Sequence, residues 1–260
     1  MKLHGNQLKL IRHLARFNLL DYPSCLELLE TENTTNHVAL SYAFRPLTKN
    51  RYLSKRKDGS VMILAKGRAL FHNIRPLISS GGGASETKRI MDVSRMAALM
   101  DRIGIPAAAK PSNSGKACFI PSACWRNIAS GILSTTRFVG MLADGTQRLA
   151  VYDIGDGQMD WQVRAEGSLF YTKYGRYETK ATGMVLVCDA DKRNEIAKNI
   201  IRQTMWNRRQ LLSNICMERN RPTRWSRSPI KLRAQYEHVY LTTRDQLGTD
   251  LNLILSVENQ

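Results

Sequence analysis

The stretch NRYLSKRKDGSVMIL, Asn50 to Leu64, decides the fold of the first part of the chain. It contains two strand-like runs around a polar tip with the sequence KRKDG, residues 55–59. Asp-Gly between β-prone runs is a strong signal for a hairpin. A plain turn does not need three consecutive cations, so the pattern favours a hairpin whose tip contacts an anionic partner.

Three helical segments are predicted before this hairpin. Leu8–Ala15 carries apolar residues at helical spacing, and a second helix is expected to start near Pro23, after Asp21. A third helix is expected after a cap at Asn33 or Thr34. Its predicted inward face has spacings of three and four residues and consists of His37, Leu40, Phe44 and Leu47.

Pro46 falls inside the predicted third helix. Because proline cannot donate the helical hydrogen bond, the helix is expected to kink or to end near Phe44. A short closing helix is predicted after the hairpin, over Lys66–Asn73.

Three helices followed by a basic hairpin resemble the winged helix-turn-helix domain in pattern. The resemblance implies that the third helix offers its N-terminal half to the major groove, and that the hairpin, the wing, contacts phosphates or the minor groove. The DNA-binding residues implied in this region are Thr34, Thr35, Asn36, Ser41, Arg45, Lys49, Lys55, Arg56 and Lys57.

The net charge of the chain points to the same class of partner. Its 260 residues include 39 Lys and Arg against 22 Asp and Glu, which gives a formal net charge of +17. Such an excess favours a polyanion, and no apolar run is long enough to span a membrane. Five cysteines without CxxC spacing and no secretory signal predict a cytoplasmic protein with reduced thiols. Scattered histidines predict no metal, and no cofactor is expected.

PLISSGGGASE, Pro76 to Glu86, is a break in composition that predicts a linker. It would separate an N-terminal domain, residues 1–75, from a C-terminal domain, residues 87–260. A helix over 86–104, a meander ending near Asp153, and a strand–helix–strand unit predict an α/β sandwich there. HVYLTT and LNLIL are expected to add one or two strands. The predicted class of the whole chain is α+β.

A second basic region runs from Lys192 to Arg233, with twelve Lys or Arg and two Glu. Its densest part is ERNRPTRWSRSPIKLR, in which cations surround a tryptophan and two prolines prevent a helix. Cations interleaved with an aromatic side chain suit contact with a nucleic-acid backbone and stacking on bases. The predicted contact residues are Arg219, Arg221, Arg224, Trp225 and Arg227.

The order of elements in the second domain resembles the PD-(D/E)xK nuclease core. Asp153 or Asp156, with Glu178 and Lys180, fits the spacing of its metal site loosely. The acidic-x-Lys pattern also occurs at Glu86–Lys88, and about one occurrence is expected by chance, so an active nuclease is the minority reading.

Taken together, the chain resembles the replication-relaxation proteins of Gram-positive plasmids and integrative conjugative elements. The resemblance rests on the segments RMAALMDRIGIP, TRFVGMLADG, LAVYDIGDGQMDW and MVLVCDA. It implies a winged helix joined to a degenerate nuclease-like domain that has lost its metal ligands, so no catalytic residue is implied. The implied function is that of a DNA-binding accessory factor in a relaxosome, which helps a separate relaxase at an origin of transfer or replication.

The expected partners are double-stranded DNA and a relaxase, with single-stranded DNA and a second copy of the chain as further candidates. Two other functions stay open at this point. One is a winged-helix transcriptional repressor whose second domain dimerises or senses an effector. The other is the metal-dependent nuclease.

Overall fold

A computed structural model describes residues 3–29, 37–78, 83–112, 115–125, 137–144, 148–155, 181, 183–198 and 239–257. The protein is a mixed α+β structure with helices and two sheets, which confirms the predicted class. Within these residues no helix is both long and apolar enough to cross a bilayer.

The elements of the first hundred residues are mainly helical. They are α1 (Gly5–Phe17), β1 (Leu19–Asp21), α2 (Tyr22–Leu29), α3 (His37–Lys49), β2 (Leu53–Lys55), β3 (Ser60–Ile63), α4 (Ala65–Ala69) and α5 (Ala84–Arg102).

Strands supply most of the rest of the described chain. The elements are β4 (Cys118–Pro121), α6 (Ser122–Trp125), β5 (Phe138–Ala143), β6 (Arg148–Asp153), β7 (Gly183–Cys188), a 3₁₀ turn (Ala190–Lys192), β8 (Val239–Thr243) and α7 (Leu247–Val257). Residues 193–198 are also helical.

The first sheet has the order β1–β3–β2, and both pairings are antiparallel. Leu20 and Lys55 lie opposite Val61 from its two sides, which fixes the register of all three strands. The predicted hairpin is therefore present as β2 and β3. The closing helix is shorter than predicted, because α4 ends at Ala69 and turns follow it.

One apolar core holds α1, α2, α3 and this sheet together. Its fully buried members include Leu10 and Leu14 from α1, Leu28 from α2, Leu47 from α3 and Val61 from β3. A fully buried Leu or Val contributes about 1.5–3 kcal/mol relative to an exposed one. Packing in this shared core therefore stabilises the short helices and strands more than their intrinsic propensities do.

Asp21 marks the start of α2, where the sequence predicts it. One of its carboxylate oxygens accepts a hydrogen bond from the Ser24 backbone N–H at 2.8 Å, and the other accepts one from Arg95 Nε at 2.8 Å. Burial raises the pKa of Asp21, but the Ser24 hydrogen bonds and the charge of Arg95 outweigh that effect. The pKa therefore lies below its ordinary value.

The long helix α5 belongs to the same compact unit as these N-terminal elements. Besides the Arg95–Asp21 ion pair, His13 on α1 lies 3.1 Å from the Ser94 hydroxyl, and Ala98 enters the shared core. Ser- and Gly-rich composition predicts a division at 76–86. The compact units instead comprise Met1–Ala129 with Val139–Thr146, and Ser130–Phe138 with Gln147–Gln260. The buried apolar stripe of α5 accounts for this difference.

In the second sheet, β4 and β5 are antiparallel neighbours, with Phe119 opposite Leu142. The strands β6, β7 and β8 are paired in parallel, with β7 in the middle. Every residue of β7 is buried, as expected for a strand that has parallel neighbours on both sides and is covered on both faces.

The prediction for the end of the chain is correct for HVYLTT, which contains β8, and wrong for LNLIL, which lies in α7. Leu247 and Leu251, four residues apart, are fully buried, so they form the inward face of a helix. Asp250, in the first turn of α7, accepts a hydrogen bond from the Thr242 hydroxyl at 2.6 Å.

Candidate nucleic-acid interface

A stripe of polar and aromatic side chains runs along the exposed side of α3. Tyr42, Arg45 and Lys49 are spaced by three and four residues and are all exposed, and Tyr42 exposes 76% of its maximum. Phe44 and Leu47 on the other side of the helix are buried in the core. The packing of α3 therefore leaves this stripe free for a partner.

Pro46 does not end α3, so of the two sequence expectations, a kink or an end near Phe44, the second is wrong. The helix continues to Lys49, although Pro46 cannot donate a backbone hydrogen bond to the preceding turn. Phe44 and Leu47 flank the proline and are both buried, so core packing offsets the missing hydrogen bond. Arg45 and Lys49 consequently share one helical face with Tyr42.

Side chains at the end of α3 cap the carbonyl groups of its last turn. The Thr48 hydroxyl donates to the carbonyl of Phe44 or Arg45, at 3.2 and 3.0 Å, and Asn50 Nδ2 donates to the Pro46 carbonyl at 2.8 Å. Arg51 then adopts a positive φ of 58°, which reverses the chain into β2.

The hairpin tip is organised by Asp58. Its carboxylate accepts hydrogen bonds from the Ser60 backbone N–H at 2.9 Å and from the Ser60 hydroxyl at 2.6 Å. These hydrogen bonds place the pKa of Asp58 below its ordinary value. Gly59 has a φ of 80°, a conformation that side chains disfavour. Asp58 thus shapes the turn, and the exposed charge of the tip comes from Arg56 and Lys57.

Lys55 connects the hairpin to the helices. Its ammonium lies 4.4 Å from the centre of the Tyr22 ring, a cation–π distance. The Tyr22 ring in turn meets Phe44 edge-on, with 5.9 Å between ring centres. One aromatic ring therefore links the base of the hairpin tip to α3.

These features produce a strongly positive surface. In the described part of the chain, none of its cations forms an ion pair with a carboxylate. They are Arg45, Lys49, Lys55, Arg56 and Lys57. Two more exposed residues, Tyr42 and Arg51, were missed by sequence reasoning. Its spacing of three residues from the predicted contact Arg45 could have identified Tyr42.

Several predicted contact residues lie outside the described residues or lack a described side chain. Those outside are Thr34, Thr35, Asn36, Arg219, Arg221, Arg224, Trp225 and Arg227. Ser41 lies on α3, and its side chain is not described.

Of the predicted metal ligands, Asp153 is described, whereas Asp156, Glu178 and Lys180 lie outside the described residues. Asp153 is only 7% exposed and stands at the carboxyl end of β6. Arg244 Nη2 lies 3.1 and 3.3 Å from its two carboxylate oxygens, and Arg244 Nη1 lies 3.8 Å from Asp189. A guanidinium therefore sits between the two carboxylates.

Gly155 makes room for this guanidinium. A Cβ added there would lie 2.7 Å from Arg244 Nη2, too close for the present arrangement. Within the described residues, no group of three or more His, Cys, Asp or Glu side chains could hold a metal ion.

Comparisons with protein-family models, curated proteins and solved structures found no match for this chain.

Proposed function

We propose that the protein binds double-stranded DNA through a winged helix-turn-helix formed by α1–α4 and the first sheet. The observation that carries the proposal is that the Tyr22 ring contacts both α3 and the hairpin, through Phe44 and Lys55 respectively. Two exposed cationic elements are thereby held in a fixed relation. This suits simultaneous contact of a helix with the major groove and of a hairpin with the neighbouring backbone.

In this proposal, α3 is the recognition helix. Tyr42, Arg45 and Lys49 face the duplex. The predicted contacts Thr34, Thr35 and Asn36 precede α3 in the sequence, and Ser41 lies on α3. Arg56 and Lys57 form the tip of the wing and contact phosphates. Lys55 contributes charge from the base of the tip while it packs on Tyr22.

We further propose that the protein is a non-catalytic accessory factor of a relaxase. The Arg244 guanidinium beside Asp153 and Asp189 supports this part, because a permanent cation occupies the place where paired carboxylates would otherwise bind a divalent metal. The basic segment 192–233, with Arg219, Arg221, Arg224, Trp225 and Arg227, is proposed as a second DNA contact.

The wing is tested by charge reversal. A labelled duplex from the DNA flanking the gene is titrated with the protein and with an Arg56→Glu/Lys57→Glu variant. Binding is expected to weaken at least roughly tenfold on every sequence, because two phosphate contacts become repulsions. Lys88→Glu, an equal type of change at an exposed position of α5, is the matched control. Equal binding by the double variant and the control contradicts the wing assignment.

The position of the binding site separates the accessory role from repression. Footprinting on the same flanking DNA is expected to protect a sequence beside a nick site. Protection confined to a promoter would instead make the protein a repressor.

A further inference from the structure

A groove of about 710 Å³ lies along α1, and the function proposed above does not use it. None of the described residues that line it belongs to α3 or to the hairpin. The groove and the proposed DNA-binding surface are therefore built from separate side chains.

Three cations are among the residues that line the groove. Lys9, Arg12 and Arg16 follow one another on α1 at spacings of three and four residues. Arg16 donates a hydrogen bond to the Ala107 carbonyl, whereas Lys9 and Arg12 are exposed and form no ion pair in the described part of the chain. Among the described residues that line the groove, Asp101 is the single acid against three cations, so this part of the lining is predominantly positive.

Apolar side chains line the groove as well. They are Leu8, Leu28, Phe71 and Ile74, and Leu8 is 41% exposed. Leu70, next to Phe71, is also exposed. Phosphate backbones need cations but gain nothing from these apolar side chains. A peptide that carries both apolar side chains and carboxylates gains from the apolar residues and from the cations.

We propose that this groove binds an acidic amphipathic helix of a partner protein. Apolar side chains at helical spacing would pack on Leu8, Phe71 and Ile74, and carboxylates beside them would pair with Lys9 and Arg12. Charge complementarity disfavours a second copy as the occupant, because the chain itself has a net charge of +17. The groove would recruit a partner while α3 and the hairpin stay available for DNA.

The test uses the full-length protein and a labelled synthetic helical peptide with Leu at positions i, i+3, i+4 and i+7 and Glu on the flanking positions. Two further peptides replace every Glu by Gln or every Leu by Ser. Saturable binding is expected for the Leu/Glu peptide, with at least roughly tenfold weaker binding for each replacement, since both halves of the groove contribute.

Protein variants locate the site. Lys9→Glu/Arg12→Glu is expected to weaken binding of the Leu/Glu peptide at least roughly tenfold, whereas Lys88→Glu, an exposed cation on α5, leaves it unchanged. Leu8→Ser tests the apolar contribution separately and is expected to weaken binding of the Leu/Glu peptide, and because Leu8 is exposed the change leaves the buried core intact. Thermal unfolding of each variant verifies that it is folded.

Three results overturn the proposal. The first is no saturable binding of the Leu/Glu peptide, or binding that Lys9→Glu/Arg12→Glu leaves intact. The second is equally tight binding of the Leu-to-Ser peptide together with efficient competition by a single-stranded oligonucleotide, which would make the groove a nucleic-acid contact. The third is self-association that sedimentation detects in the parent and not in Lys9→Glu/Arg12→Glu, which would identify a second copy as the occupant.

Discussion

His13 is a buried imidazole in the middle of the N-terminal unit. Its Nε2 lies 3.1 Å from the Ser94 hydroxyl, and its ring stacks on Phe17 with 4.7 Å between centres. Burial lowers the pKa of His13 to about 3, and the nearby charges of Arg16 and Lys9 act in the same direction. The folded protein therefore keeps this side chain neutral at pH values where the unfolded chain binds a proton.

The consequence is a specific dependence of stability on pH. Below pH 6.5 the unfolded state gains a proton at His13 that the folded state does not bind, so the free energy of unfolding falls as the pH is lowered. The loss approaches about 1.4 kcal/mol per pH unit between the two pKa values. Urea unfolding at pH 7, 6, 5 and 4.5 measures it.

His13→Gln provides the control, because glutamine keeps a polar side chain and does not titrate. Its stability is expected to be lower at pH 7 but to vary less between pH 6.5 and 4.5. Asp21 contributes little in that range, since the stability from its lowered pKa is present above the ordinary carboxyl pKa of about 3.9 and is lost only below it. Parallel pH profiles for parent and variant would contradict the assignment.

For single residues, the sequence identifies exposed charges well but does not show which polar side chains are buried. Arg56 and Lys57 were identified from the hairpin pattern alone and are exposed at the tip. The burial of His13 depends on Ser94, 81 residues away, and no local pattern carries that information. Tyr42 was not among the predicted contacts, although it lies three residues before Arg45, which was.

Tyr22 links two elements, so its ring should affect both stability and DNA binding. Tyr22→Leu removes the contact with Lys55 and the edge-on contact with Phe44, and we expect it to destabilise the protein by about 1–2 kcal/mol. Because the hairpin is then less well held against α3, duplex affinity should also fall. Urea unfolding and duplex titration measure the two effects.

Tyr22→Phe is the matched variant, since it keeps the ring and removes only the hydroxyl. It is expected to behave like the parent in both measurements. If Tyr22→Leu binds the duplex as tightly as Tyr22→Phe does, the ring does not position the hairpin for DNA.

Gly67 allows α4 to lie close to the start of β2. A Cβ at this position would lie 2.5 Å from the Tyr52 carbonyl oxygen and 3.0 Å from Ile63 Cγ1, so backbone would have to move. We expect Gly67→Ala to cost about 1–3 kcal/mol of stability, as overpacking of a core does. Thermal or urea unfolding measures the change.

Gly5 supplies the comparison within the same unit. It is the first residue of α1, and a Cβ there meets nothing within 4 Å. Gly5→Ala is therefore expected to stabilise the protein by about 0.4–1 kcal/mol through the unfolded state. If Gly67→Ala and Gly5→Ala change the free energy of unfolding equally, close packing around Gly67 does not determine the stability of the protein.

Elements with strong local signals were predictable. The Asp-Gly turn identified β2 and β3, and Asp21 with Pro23 identified the start of α2. The signals failed where packing decides the outcome. LNLIL has strand propensity, but Leu247 and Leu251 are buried at helical spacing in α7. The helix α3 continues through Pro46, and Phe44 and Leu47 on either side of the proline are both buried in the core.

For the whole molecule, the net charge of +17 predicts that the proposed duplex binding depends strongly on salt. If the five cations of α3 and the hairpin each neutralise about one phosphate, the logarithm of the affinity falls with the logarithm of salt with a slope of about −4 to −5. The additional basic segment would make the slope steeper. Titrations between about 50 and 200 mM salt measure this slope.

Arg56→Glu/Lys57→Glu is expected to reduce the magnitude of that slope by about 2. Lys88→Glu, away from the proposed surface, should leave the slope as it is in the parent. A slope near zero for the parent protein would exclude phosphate contact as the main source of affinity.

The class of the molecule was predictable, because helical spacing and strand runs are local properties. The division into compact units was not. Ser and Gly residues predict a break at 76–86 from composition alone, whereas the assignment of α5 depends on Arg95 reaching Asp21 and on Ala98 reaching the core. Both contacts join residues that are far apart in the chain.

The placement of α5 also determines where the gene can be cut. A coding fragment that stops at residue 75 looks like a self-contained module, yet it discards the partners of Asp21 and His13 and uncovers the apolar surface beside Ala98. A portable version of this unit would have to extend at least through Arg102. Natural gene fusions that reuse it are expected to join after that helix.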